Sequence, residues 1–181
     1  VKKDDKLISK KVDGKLTSTD RTIVDERLMK IFAPQFNTLK ELVSHKLGVL
    51  DRDISITPAF YRSSSFIDAI HTLQLQLTGA DISFTAPFSL KAVLKKGNFY
   101  VADLFSFYKY ENKLYVMKLT GREIKNYLEE SYGNWFNEMH SPDDHLLKLQ
   151  IDKNRNQVYF KNPLFNFDSA AGIIYIVDVR K

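Results

Sequence analysis

A chain of 181 residues, 44% hydrophobic and 13% aromatic, can bury one sizeable core, or one core plus an appended helix, but is too short for a second full domain. No apolar run is long enough to cross a bilayer as a helix, and the opening residues lack the apolar block of a signal peptide, so the chain reads as soluble. The formal net charge of +5 and the absence of cysteine leave open a polyanionic partner and either side of a membrane.

The first residue is Val1 rather than Met, which points to a processed product or a fragment, so the missing leader says nothing firm about compartment. Much of the positive excess lies in Lys2, Lys3, Lys6, Lys10, Lys11 and Lys15. Mixed with acidic residues, this block reads as a solvated segment in preference to a nucleic-acid arm. Val12, Asp13, Gly14 and Lys15 form a tight-turn signal, consistent with a small hairpin or an extended start. From Asp20 to Leu50 the positions Val24, Leu28, Ile31, Phe32, Leu39, Leu42, Val43 and Leu47 follow a helical period, and Pro34 is expected to kink or split that helix. The stretch looks like a connector.

Ile54 to Thr57 is a short strand candidate. Ser63, Ser64 and Ser65 then supply capping hydroxyls for a helix displaying Phe66, Ala69, Ile70, Leu73 and Leu77. Ala80 to Thr85 alternates as a strand that Pro87 ends. Between Lys113 and Leu119, Leu114, Tyr115, Val116, Met117 and Leu119 make an almost unbroken apolar run, the pattern of a strand covered on both faces inside a sheet. Thr120 with Glu123 fits a capping box, and Ile124, Tyr127, Leu128 and Ser131 continue at helical spacing. Val158 to Phe160 and Gly172 to Val179 add two strand candidates separated by turn-rich residues. The sum is a mixed α/β (α+β) fold, a sheet flanked by helices.

Several of these residues carry a family likeness. Tyr110, Asn112, the apolar run, then Leu119, Thr120 and Gly121, and a helix reaching Leu128 and Glu129 resemble, in order and spacing, the C-terminal, nucleotide-recognising domain of the 5′-nucleotidase and 2′,3′-cyclic-nucleotide phosphodiesterase family of metallophosphoesterases. Phe66 to Ala69, Gly79 to Ile82, Gly97 to Asp103 and Ala171 to Asp178 extend the resemblance over roughly residues 54 to 181.

The resemblance implies that residues 1–50 are an N-terminal extension and linker helix, and that 51–181 are a nucleotide-recognition domain, truncated before the segment that in relatives supplies a second aromatic wall and an acidic residue. It implies a partner domain, N-terminal in the parent protein, holding two divalent metal ions and hydrolysing nucleotide phosphate esters. The family's metal motifs are absent from this sequence, so no cofactor and no phosphoesterase activity are expected of this chain alone. Family members usually act in a periplasm or outside the cell.

Within this chain the resemblance assigns nucleotide contact to Tyr110, which would stack a base, to Asn112, which would present its amide to a base edge or ribose hydroxyl, and to Lys91 and Arg62, which would meet phosphate or ribose. Tyr110 stands where relatives carry phenylalanine, and Lys91 where they carry arginine; a lysine is a point charge instead of a two-pronged donor. Ala86 replaces an asparagine. On sequence pattern alone, Phe105, Phe107, Tyr108 and Tyr110 read as sheet-packing aromatics.

His140, Asp143, Asp144 and His145 read as a solvated loop, and His45 and His71 as isolated helix residues without an acid partner. Two other functions remain for such a chain: a noncatalytic basic domain holding single-stranded nucleic acid, or a structural domain that binds nothing.

Overall fold

The computed structural model describes residues 2–3, 6–7 and 10–180, and the chain divides into two compact units, Val1–Leu42 and Val43–Lys181. In the smaller unit, β1 (Lys2–Lys3) pairs antiparallel with β2 (Lys6–Leu7). Residues 12–15, expected to form a turn, carry no regular structure. Helix α1 (Glu26–Val43) starts where the Asp25 carboxylate accepts from the amides of Arg27 and Leu28, at 2.9 and 3.1 Å, satisfying two of the donors that every helix start leaves over. Contrary to expectation, α1 runs through Pro34 without interruption. The carbonyl that Pro34 leaves without an amide, that of Lys30, lies on an exposed turn open to solvent.

In the larger unit, Lys46–Leu50 is not helical as its apolar spacing suggests. It is strand β3, paired antiparallel with β7 (Gly97–Tyr100), with a bulge between Lys46 and Gly48. The helical period therefore ends at Val43, and a half-buried partner strand overrides it. Strand β4 (Ile54–Ser55) pairs with β6 (Val93–Leu94), and a 3₁₀ turn, Thr57–Phe60, leads to α2.

Helix α2 (Ser65–Thr78) starts and stops as its sequence dictates: the Ser64 hydroxyl accepts from Phe66 N at 3.3 Å, and Gly79 closes it at φ +65° with its amide on the Leu75 carbonyl. Its buried face differs from the expected one. Phe66, Ile67, Ile70 and His71 point inward, while Ala69, Leu73 and Leu77 face solvent, because the strand beneath is met by the 67/71/74 side of the helix. That strand, β5 (Ser83–Thr85), pairs antiparallel with β10 (Ser169–Ala171).

Helix α3 (Val101–Phe107), opened by the Asp103 carboxylate on the Tyr100 amide at 2.8 Å, follows β7 directly. Helix α4 (Gly121–Trp135) carries the expected capping box: Glu123 Oε2 accepts from Thr120 N at 2.7 Å, and Thr120 Oγ1 accepts from Glu123 N at 3.3 Å. Replacing Thr120 by Ala is expected to cost about 1 kcal/mol of unfolding free energy in a urea titration, while the Glu123 carboxyl, held low first by the Thr120 amide and then by the Thr120 hydroxyl, rises only in part because Ala keeps the amide. Strands β8 (Leu149–Asp152) and β9 (Gln157–Phe160) form a hairpin whose turn places Asn156 at φ 48°.

Two expected strands are not in ladders. Residues 113–119 hydrogen-bond to no other segment among the described residues, and Tyr115, Val116 and Met117 are mostly exposed. A strand exists only with a neighbour to pair with, and among the described residues none pairs with this segment. Residues 172–179 likewise form no ladder, the assigned strand ending at Ala171. Gly172 turns the chain there at φ +88°, where a Cβ would lie 2.0 Å from the Asp81 carbonyl oxygen; only glycine fits.

The larger unit has two cores. One joins Ile56, Ala59, Phe66, Ile67, Ile70 and Leu94, with Phe88 and Phe99 packed against it. The other joins Phe60, Trp135, Leu147 and Phe167, with the Trp135 ring parallel to Tyr132 and Phe167 at 5.3 and 5.4 Å.

Candidate functional site

The aromatic residues between α3 and residue 112 do not pack a sheet. Tyr110 is 48% exposed, and its ring meets those of Phe88 and Tyr108 edge-on, each at a centroid distance of 6.1 Å. Phe88 and Tyr108 meet each other at 5.1 Å and 88°. Three mutually perpendicular rings hold one another by edge-to-face attraction, and Phe88 also touches Phe66 in the first core at 6.3 Å. The platform is thereby tied to the most buried part of α2. Lys109 Nζ lies 5.2 Å from the Tyr110 ring centre, within cation–π range, so positive charge stands beside the exposed ring.

Asn112 belongs to the same turn. Its backbone amide donates to the Tyr110 carbonyl at 3.1 Å, and its side-chain nitrogen donates to the Tyr108 hydroxyl at 2.7 Å. The amide is thus held on the platform, with its oxygen carrying no hydrogen bond among the described residues.

Lys91 is exposed and stands three residues beyond Phe88, its amide on the Ser89 hydroxyl at 3.3 Å. Ala86 and Pro87, ahead of Phe88, are buried, so the chain has an apolar side chain where an amide would otherwise be sealed.

Arg62 is placed elsewhere. It lines a hollow of about 600 Å³ together with Ser64, Asp68, His71, Tyr132 and Trp135, and Tyr110, Asn112 and Lys91 line none of the three hollows described. The structure therefore brings Tyr110 and Asn112 into one turn, sets Lys91 on the segment that props it, and leaves Arg62 on a separate wall. Sequence reasoning missed Phe88 and Tyr108 as props, since nothing in spacing announces a contact across 22 positions; the density of aromatics between Phe105 and Tyr110 was the available signal.

His71 is not an ordinary surface histidine. It is 3% exposed, with Nδ1 2.9 Å from Ser83 Oγ and Nε2 3.3 Å from Ser169 Oγ. Ser83 gives its own proton to Gln74 Oε1, so it accepts from Nδ1–H, leaving Nε2 as the acceptor face of a neutral ring. Burial pulls its pKa down to about 4. The Tyr127 hydroxyl donates to Asp168, and burial pushes both groups up.

In the 140–145 loop, Asp144 Oδ2 accepts from the amides of His140 and Ser141 at 2.6 and 2.9 Å, which holds its carboxyl below the usual range. The Asp144 carboxylate is spent on its own loop's backbone. Among the described residues no group of three or more His, Cys, Asp or Glu is placed to hold a metal ion, and no helix is long and apolar enough to cross a membrane.

Comparison with known proteins agrees with the α/β architecture. The family model described as "5'-nucleotidase, C-terminal domain" matches residues 40–178, and the chain belongs to that family. Among solved structures it is similar to the 2.05 Å crystal structure of a Staphylococcus aureus protein assigned as a 5′-nucleotidase, in complex with α-ketoglutarate. The TM-score is 0.57 and the identity 17%, with 84% of this chain and 28% of that chain covered. The likeness is one of fold, and this chain spans little more than a quarter of that protein's length. No curated protein sequence matches.

Proposed function

We propose that this chain is the nucleotide-recognition part of a 5′-nucleotidase-like phosphoesterase, with Tyr110 as the surface on which the base rests. The observation that carries the reading is the open Tyr110 ring, held edge-on by Phe88 and Tyr108 and followed by a side-chain amide fixed on the same turn. A planar heterocycle laid on that ring gains stacking without ordering a flexible side chain, about 1–3 kcal/mol per base. Asn112 then offers a hydrogen-bond acceptor at the ring's edge, and Lys109 and Lys91 supply the positive charge that an anionic nucleotide seeks. Arg62, on its separate wall, serves phosphate or ribose only if the ligand reaches beyond the platform.

Hydrolysis of the phosphate ester belongs, in this reading, to a metallophosphoesterase domain of the parent protein outside these residues. The two divalent ions act there, since this sequence carries none of the family's metal motifs. This chain by itself recognises the nucleotide and does not cleave it, and the parent works in a periplasm or outside the cell.

Calorimetric titration with AMP and adenosine tests the assignment. Tyr110→Ala is expected to weaken AMP binding by the stacking contribution, roughly 5- to 150-fold, while Tyr110→Phe keeps it. Equal affinity of the wild type and Tyr110→Ala would refute the platform. Binding of oligothymidylate alone, falling steeply with salt, would replace this reading with single-strand nucleic-acid binding.

A further inference from the structure

We infer that helix α1 is a self-association surface, on which the α1 helix of a second copy of this chain packs antiparallel. Its apolar residues Leu28, Ile31, Phe32, Phe36, Leu39 and Leu42 recur at helical spacing and share one face. Each is between 47% and 60% exposed, and α1 contains no buried residue. Among residues 10–42 only Ala33 is as much as half-buried, so these residues form no core of their own. Helices in proteins draw most of their stability from packing an amphipathic face, and Pro34 removes one hydrogen bond from the middle of this one. A helix that carries such a face bare calls for a partner.

The charges beside that face select the partner and its direction. Glu26 and Lys40 stand two heptads apart, hence on the same flank of the helix. When a two-fold axis crosses a pair of helices at right angles, the helices run antiparallel and like flanks face each other from opposite ends. Glu26 of one copy then meets Lys40 of the second copy, and the symmetry repeats the pair at the far end. Arg27 and Glu41, also two heptads apart, give the same match of base to acid one position further round. Parallel helices in register set this flank against the opposite one, where Leu28, Gln35 and Leu42 offer no charge to either residue. Neither Glu26 nor Lys40 has an ion pair among the described residues.

Pro34 falls on the face opposite the apolar stripe, clear of the seam. Most of α1 precedes residues 40–178, which the family model matches, so the surface is an addition to that domain, and it does not rest on the nucleotide reading.

Sedimentation equilibrium of the intact chain at low ionic strength tests the pairing. The 21.0 kDa chain is expected to pass to twice that mass, with a dissociation constant on the order of 10 µM, as suits a small interface between two helices. Phe32→Glu combined with Phe36→Glu should leave a monomer, while the fluorescence of Trp135, the chain's one tryptophan and part of the second core, reports that the larger unit stays folded. Glu26→Lys, which opposes two lysines at each end, should raise the dissociation constant about threefold or more. Adding Lys40→Glu should bring it back below that of either single variant. Lost contacts with the helix dipole would instead add up, so only pairing across the axis predicts the recovery. A wild type that stays monomeric up to about 200 µM overturns the proposal. So does a dimer that survives the double phenylalanine change, which places the interface elsewhere, and so does a Glu26→Lys defect that Lys40→Glu fails to rescue, which removes the antiparallel pairing.

Discussion

Replacing Phe66 by Ala is expected to lower the unfolding free energy by about 3–5 kcal/mol, the usual cost of deleting a buried aromatic ring and leaving a cavity behind. Phe66 has no exposed surface and stands in the first turn of α2, where Ser64 caps the helix from below. Its ring is surrounded by Ile56, Ala59, Ile67, Ile70 and Leu94, drawn from the chain before α2, from α2 itself and from β6. A cavity there cannot be closed by moving one side chain, because its walls come from three separate parts of the chain. The effect should extend to the site. Phe88 touches Phe66 and props both Tyr108 and Tyr110, so the variant loosens the platform from underneath. A urea titration measures the first effect, and AMP affinity at a temperature where the variant is still folded measures the second. A loss below about 1 kcal/mol would mean that the Phe66 side chain is not the centre of that core.

What could be read in advance followed the range of the interaction. The Thr120 and Glu123 box, the Ser64 cap and the Gly79 stop are satisfied within a few residues, and each stands where its spacing put it. The helical period of 20–50 overran its true end because Leu47 continues it, whereas the ladder with Gly97–Tyr100 comes from about fifty positions away and leaves no mark on the local pattern. The short helix Val101–Phe107 was hidden by aromatics that read equally well as strand. At the site, Tyr110 and Asn112 were legible as neighbours on one side of an extended segment, where the structure instead bends the chain so that the Asn112 amide meets the Tyr110 carbonyl. Phe88 as their support and the separation of Arg62 are tertiary facts. Most instructive is His71, which sequence leaves as a lone helix residue, since its partners Ser83 and Ser169 are 12 and 98 positions distant.

That buried ring gives the chain an acid-sensitive joint between α2, β5 and β10. The unfolded chain holds His71 near its ordinary pKa of 6.5, while burial lowers the folded value to about 4. Above pH 6.5 the ring is neutral in both states and contributes no pH dependence. As pH falls from 6.5 toward 4, the unfolded chain takes up a proton that the folded chain refuses, so stability declines; below 4 both bind it and the loss levels off at roughly 3 kcal/mol. Burial raises the carboxyls of Asp68 and Asp168, so their proton uptake favours the folded state and opposes this loss as pH falls through their folded values. Asp53, Glu123, Asp144 and Asp178 are held low by hydrogen bonds and ion pairing, and their stabilisation disappears as pH falls through their own depressed values. A comparison of the wild type with His71→Gln isolates the histidine, because the carboxyls are common to both. The difference in unfolding free energy should be flat above pH 6.5 and should shift against the wild type by roughly 3 kcal/mol on the way to pH 4. A difference that stays constant through this window would show that the ring titrates alike in the folded and unfolded chain, and that burial does not keep it neutral.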